Sequence, residues 1–198
     1  RIRSDRAAWR IGVRGEGKTL ADAFGALESG VQRVQAFLKQ AGFADAEIGL
    51  AAISTEEQRK RDEKGQPLPE VIGYELNRTF SVATGDVDRV HQSAGRVTEL
   101  IRDGVLVTSR PPAYYYTELP KLRIELMSAA SADAKTRAEK IAASTGCRLG
   151  TLRDASMGVL QVTEPDSTET SDYGMYDTET IVKDVTAVVT ATFGVQTE

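Results

Sequence analysis

Cysteine, histidine and tryptophan each occur once in these 198 residues. The lone Cys147 excludes an internal disulfide and a multi-cysteine metal site, and its neighbours make it a small buried residue at a strand entrance in preference to a redox thiol. His91 has no second ligand at metal spacing and falls beside the apolar stripe of a helix, so it reads as structural. A basic excess is missing too: 25 Lys and Arg against 29 Asp and Glu leave a net charge of -4. That balance argues against nucleic acid as a partner, because phosphate binding needs a basic patch. No apolar run is long enough to span a bilayer; the longest, around 187–195, is interrupted by threonines. The chain opens Arg1-Ile2-Arg3 without Met and reads as a mature or trimmed piece, so membrane attachment is expected only through an N-terminal signal or anchor upstream.

What the chain does have is periodicity. Ala7 to Val13 alternates, with Trp9, Ile11 and Val13 on one side, as a half-buried strand does. Leu20, Phe24, Leu27, Val31, Val34 and Leu38 then step by four and three toward Gly42, an amphipathic helix with a glycine stop. Ile48 to Ser54 reads as a strand that frays into the mixed-charge run 56–65, expected as a solvated hairpin tip. Ile72, Tyr74, Leu76, Phe80 and Val82 share one face of the next strand, and Arg78 breaks the pattern at the expected sheet rim. Asp86 caps a second helix with Val87, Val90, Ala94, Val97 and Ile101 inward, Gly104 closes it, and 105–107 is a short strand. The order strand, helix, strand, strand, helix, strand is the ferredoxin-like split pattern.

A second part begins at Pro111-Pro112. Tyr114, Tyr115 and Tyr116 read as a short strand; neighbours in a strand point to opposite sides, so at least one is expected exposed or at a subunit contact. Thr117 is the expected cap of a long helix, with Pro120 in its first turn. Leu122, Leu126, Ala130, Ala134, Ala138, Ile141 and Thr145 form one stripe, and its alanine centre requires another backbone to come close. Two extended runs follow, 149–162 with Gly150 and Gly158 as bulges, and 181–195 with Val185, Ala187, Val189, Ala191 and Phe193 inward. Between them lies an acidic, Ser- and Thr-rich loop, 163–180. The expected fold is therefore α+β: an antiparallel or mixed sheet in a ferredoxin-like βαββαβ half (1–111), then a long helix and a C-terminal β-hairpin (112–198), within a single domain 1–198.

The sharpest motif is Gly12-Val13-Arg14-Gly15-Glu16-Gly17-Lys18-Thr19, a literal match to the phosphate-loop pattern between a strand and a helix. A nucleotide-binding reading assigns Gly17 to the backbone cradle, Lys18 to the terminal phosphates and Thr19 to Mg²⁺. Against it, Gly12 lies inside the strand alternation, and no later apolar run ends in Asp to hold magnesium. Thr19 also has a plain role, since Asp22 three residues on makes a helix start. Asp166, Asp172, Asp177 and Glu179 are acidic enough for a hard cation, but their spacing fits no calcium loop. No Ser–His–Asp, Cys–His or paired-carboxylate set is legible, so no catalytic residue, cofactor or metal is expected.

Gly73-Tyr74 opening a central strand, Asp86-Val87-Asp88, Asp133-Ala134 and Arg137-Ala138-Glu139 within 129–143, Leu149-Gly150, Gly158-Val159-Leu160-Gln161 and Lys183-Asp184-Val185 follow one another at characteristic spacing. In that order, from Ser4-Asp5-Arg6-Ala7-Ala8-Trp9 to Phe193, the chain resembles the SIMPL-domain family, in its branch of bacterial envelope proteins. The resemblance implies an α+β protein exported to the periplasm or cell envelope. It also implies assembly into homo-oligomers or binding of protein partners, with links to oxidative-stress defence. It supplies no family-wide catalytic residues. The first strand usual in the family lies upstream of Ser4 and is mostly absent here, which leaves a sheet edge to be covered. The leading expectation is a non-enzymatic protein acting through self-assembly or partner binding. The alternatives are an NTPase using Gly12–Thr19 and a carrier of a small molecule or peptide in a groove beside the tyrosines.

Overall fold

In the computed structural model, which describes residues 1–197, the chain divides into two compact units. Asp5–Tyr114 is the N-terminal unit; Arg1–Ser4 with Tyr115–Glu198 is the C-terminal unit. The first strand, β1 (Ile2–Arg3), belongs to the second of these. The fold is α+β, with three α-helices and several antiparallel or mixed sheets.

In the N-terminal unit the alternation seen at 7–13 runs on, giving β2 (Arg6–Gly17). Helix α1 (Leu20–Gln40) follows; β3 (Ile48–Leu50) and β4 (Ser54–Arg61) then pair in turn with the 18-residue β5 (Pro67–Thr84). Helix α2 (Val87–Arg96) tightens into a 3-10 segment, Val97–Asp103, before β6 (Leu106–Ser109) and β7 (Ala113–Tyr115). The sheet path is β3-β5-β2-β6, antiparallel throughout. Ala23, Leu27, Val31, Val34 and Leu38 of α1 and Trp9, Ile11, Val13 and Phe80 of the sheet are all buried and form the core. Each such large side chain contributes roughly 1.5–3 kcal/mol of burial.

Several local expectations need correction. Ser54–Arg61 is strand, and only 62–66 forms the tip, where Asp62 accepts from the amides of Lys64 and Gln66. Backbone pairing with β5 suffices for a ribbon whose side chains are almost all exposed. Leu20 and Phe24 are 50% and 46% exposed, because the buried stripe at the start of α1 runs through Ala23, whose backbone lies on Gly15 and Gly17, and Leu20 and Phe24 fall beside it. Ile101 is 55% exposed: a 3-10 segment repeats every three residues, so Leu100 takes the position below Val97 that an α-helix would give to Ile101. Arg78 is not at a rim; it lies opposite Val13 and donates to the Ala51 carbonyl at 2.9 Å, holding the link between β3 and β4.

The C-terminal unit holds α3 (Leu119–Ser144), β8 (Cys147–Met157), β9 (Gln161–Thr163), β10 (Met175–Tyr176), β11 (Val182–Thr186) and β12 (Val189–Thr197). Glu118, not Thr117, caps α3, without a side-chain bond; Pro120 sits in the first turn and Gly146 adopts a φ of 72° after the end. The expected hairpin is real but broken in the middle. β8 pairs with β12, and β9 with β11, so both arms kink together where the Gly158 amide reaches the Val188 carbonyl at 2.9 Å. Gly150 lies at a shift in the β8–β12 register, as a bulge glycine should, whereas Gly158 marks the break itself. Past the break, four short strands form a second sheet in the order β1-β11-β9-β10, and residues 2–3 cover the edge of β11.

Candidate functional site

Gly12 to Gly17 is not a loop. Its residues are strand, registered from Gly12 opposite Thr79 to Gly17 opposite Tyr74, so the backbone groups a phosphate would need belong to the sheet. The glycines have another cause. A Cβ on Gly15 would stand 2.3 Å from the Ala23 carbonyl, and one on Gly17 2.4 Å from the Ala23 amide. They let the backbone of α1 lie directly on the strand. Thr19 is the cap of α1: its hydroxyl accepts from the Asp22 amide at 3.2 Å and donates to the Asp22 carboxylate at 2.7 Å. Lys18 is exposed and meets no acceptor among the described residues. The nucleotide reading on Gly17, Lys18 and Thr19 is overturned on these grounds.

The tyrosines separate as alternation requires. Tyr114 is buried, and its hydroxyl meets His91 Nδ1 at 3.2 Å. Burial pushes its phenol up, and the nearby Asp88 adds to the shift. His91 therefore serves as a partner for a buried hydroxyl. Tyr115 is exposed and stacks on Tyr176, with ring centroids 6.5 Å apart, while Tyr176 accepts from the Tyr116 amide at 3.2 Å. Cys147 opens β8 half-buried. Among the described residues no group of three or more His, Cys, Asp or Glu side chains could hold a metal ion.

The acidic segment is a built structure, and its anchors were missed. Lys183 is wholly buried; its ammonium donates to Asp177 Oδ2 at 3.0 Å and to the Thr180 carbonyl at 2.6 Å. Asp177 also accepts from the Thr180 hydroxyl and from the Glu179 amide at 2.7 Å. Burial alone would raise this carboxyl, yet these hydrogen bonds and the ammonium together hold it below the usual range. Gln161, buried in β9, clamps Ser171 twice: its Nε2 donates to the Ser171 carbonyl at 2.7 Å and its Oε1 accepts from the Ser171 amide at 3.4 Å. Arg1 bridges Asp166 and Asp184. The loop and β10 enclose a basin of about 490 Å³ bordered by Glu164, Glu169, Tyr176 and Glu179. Parity carried the missing signal: if Val185 points inward, so does Lys183, and an inward lysine demands a buried partner.

Helix α3 is the least covered of the three α-helices. Its stripe lies on β8 and β12, as the alanines require, but Ala142 is its only buried residue. Ile124 and Ile141 are 65% and 66% exposed, and Ile141 leaves the expected stripe to Ala142. In β8 and β12, Leu152 and Val195 are also more than half exposed.

Comparison with known proteins adds a family and little else. No curated protein matches the chain. Solved structures give distant likenesses. One is the de novo designed protein Foldit4, at 14% identity and TM-score 0.31, covering 53% of this chain and 93% of that one. Another is "The crystal structure of a putative aminohydrolase from methicillin resistant Staphylococcus aureus", at 15% identity and TM-score 0.30, covering 64% and 36%. At those scores neither carries an argument about fold or activity. The profile of SIMPL, described as a protein of unknown function (DUF541), matches residues 1–193, almost the entire length. This chain belongs to the SIMPL family.

Proposed function

We propose that this SIMPL protein works without catalysis, by associating with further copies of itself in the periplasm or cell envelope, in a role connected with stress defence. The observation that carries the reading is the apolar surface left on the C-terminal unit. Ile124 and Ile141 on α3, with Leu152 and Val195 on the hairpin, stay in water although the alanine stripe is already covered by β8 and β12. Covering an apolar side chain of this size that is more than half exposed is worth about 1–2 kcal/mol, and two isoleucines, a leucine and a valine on each of two copies set that gain against the entropy lost on association. Envelope location follows the export implied by the family resemblance. Light scattering coupled to size exclusion on the full-length exported protein tests the reading: an oligomer is expected, and Ile124→Ser with Ile141→Ser should shift it toward monomer. A strict monomer at every concentration refutes assembly.

A second reading, carriage of a small ligand, draws on the basin beside Tyr176. It requires a ligand-dependent change in tyrosine emission, and a flat response to a periplasmic extract retires it.

A further inference from the structure

The outer face of β2, away from α1, carries Arg6, Arg10 and Arg14 at every fourth position, with Gly12 between the last two. On the neighbouring strand the Arg110 amide donates to the Arg10 carbonyl at 3.0 Å, which sets Arg110 directly beside Arg10. Both side chains are exposed, and neither has a hydrogen-bond or ion-pair partner among the described residues. Like charges placed opposite one another destabilise a sheet. In a chain of net charge -4, two adjacent unpaired arginines on a sheet are a cost without a structural return.

They border a basin of about 330 Å³ with Gly12, Asn77, Thr79 and Thr108. Gly12 is its floor, opposite Thr79 on one side and Thr108 on the other. A Cβ there would meet Thr108 at an ordinary 3.8 Å, so packing does not demand this glycine as it demands Gly15. Among the described residues no carboxylate borders the basin; Glu16 on β2 and Glu75 on β5 lie one step further along and pair with Arg14 at 3.2 and 3.6 Å. Arg78 also borders it, with its guanidinium engaged at Ala51.

We propose that this basin binds a small doubly charged oxyanion of the phosphate-monoester class. Arg10 and Arg110 supply two positive charges with planar donor forks suited to phosphate oxygens. The hydroxyls of Thr79 and Thr108 and the amide of Asn77 supply neutral donors, and the absent side chain at Gly12 leaves the space. A basin of this size takes one small group, which separates it from a nucleic-acid surface. The site is independent of assembly through α3. It takes in Gly12, the first residue of the phosphate-loop match, for reasons of sheet register and not of loop geometry.

Isothermal titration at constant ionic strength, on the full chain, tests the proposal with two probes. Glycerol 3-phosphate represents a free phosphate monoester; phosphatidylcholine vesicles containing phosphatidic acid represent the same group on a lipid. Saturable binding to either is expected, and the probe that binds identifies the source. Arg10→Gln with Arg110→Gln should weaken it at least tenfold, about 1.4 kcal/mol, while raising the melting temperature of the free protein through relief of repulsion. Gly12→Val keeps every charge and fills the floor, so it too should lose binding. No saturable binding by either probe below about 10 mM overturns the proposal. So does unchanged binding in the double variant, and binding by Gly12→Val equal to wild type would show diffuse attraction without a site.

Discussion

Asp177→Asn removes the one counter-ion, among the described residues, of a lysine with no exposed surface. The new amide keeps nearly the same shape, but only one of its two ends can accept, so the charge is lost together with one of the two accepting oxygens that now serve Thr180 and the Glu179 amide. Breaking a buried pair from one side costs about 3–5 kcal/mol, because the remaining ion is left uncompensated. Domains are stable by about 5–15 kcal/mol, so the C-terminal unit should lose a large part of its stability. Lys183→Met in the same chain removes the stranded charge, and the double variant should recover most of the loss. Urea unfolding must be followed by a probe confined to each unit. Trp9 reports on the N-terminal unit, and proteolysis of 164–181 reports on the other. The expected pattern is early cleavage of the loop in Asp177→Asn, an unchanged Trp9 transition, and rescue by Lys183→Met. A loss below about 1 kcal/mol in the single variant, or a double variant equal to the sum of the singles, refutes the claim that charge pairing holds this loop.

Acid should act on Asp177 and, in the N-terminal unit, on Glu47. The folded Asp177 and Glu47 carboxyls are both held low, Glu47 first by the Thr84 hydroxyl and then by the Ala44 amide. A depressed carboxyl stabilises the fold above its unfolded value, about 3.9 for Asp and 4.3 for Glu. That contribution disappears as pH falls through the folded value, so the melting temperature should drop below about pH 4, less steeply in Asp177→Asn. Gly15→Ala should cost at least about 1–3 kcal/mol through collision with the α1 backbone. Gly25→Ala, on the exposed face of α1 with open space around it, should instead stabilise by about 0.4–1 kcal/mol in thermal melts.

Legibility tracked local physics. Helices α1 and α3 and strands β2, β5 and β12 announce themselves because one face of each is apolar at a fixed period, and burial of that face selects the element. β4 was hidden because a ribbon exposed on both sides has no period to show. The helix-to-3-10 change at Val97 was equally silent: it alters the repeat from 3.6 to 3 without altering composition. The break at Gly158 escaped because either strand alone still alternates, and only their common kink divides them. At the level of sites, parity placed Tyr114 and Tyr115 on opposite faces, but which one enters the core depends on His91 and Tyr176, 23 and 61 residues away. Lys183 was readable in principle, since a strand cannot point Val185 inward without carrying Lys183 with it.

The segment Gly12–Thr19 shows why a literal motif match decided so little. A phosphate loop needs its glycines because the backbone must turn and leave its amides free. Here the same letters answer two unrelated demands on opposite faces of one strand. Gly15 and Gly17 point toward α1 and are small because the helix backbone occupies the space of their side chains. Gly12 points away from α1, where nothing prevents a side chain, yet it sits among Arg10, Arg110 and two threonines. Thr19 is then fixed by the helix start, since the first turn of α1 needs a hydroxyl acceptor for the Asp22 amide. Strand parity alone separates these roles: odd positions take the glycines that packing requires, and the even position takes the one that packing does not explain. The latter is therefore the glycine at which a substitution should spare the fold and reveal a ligand.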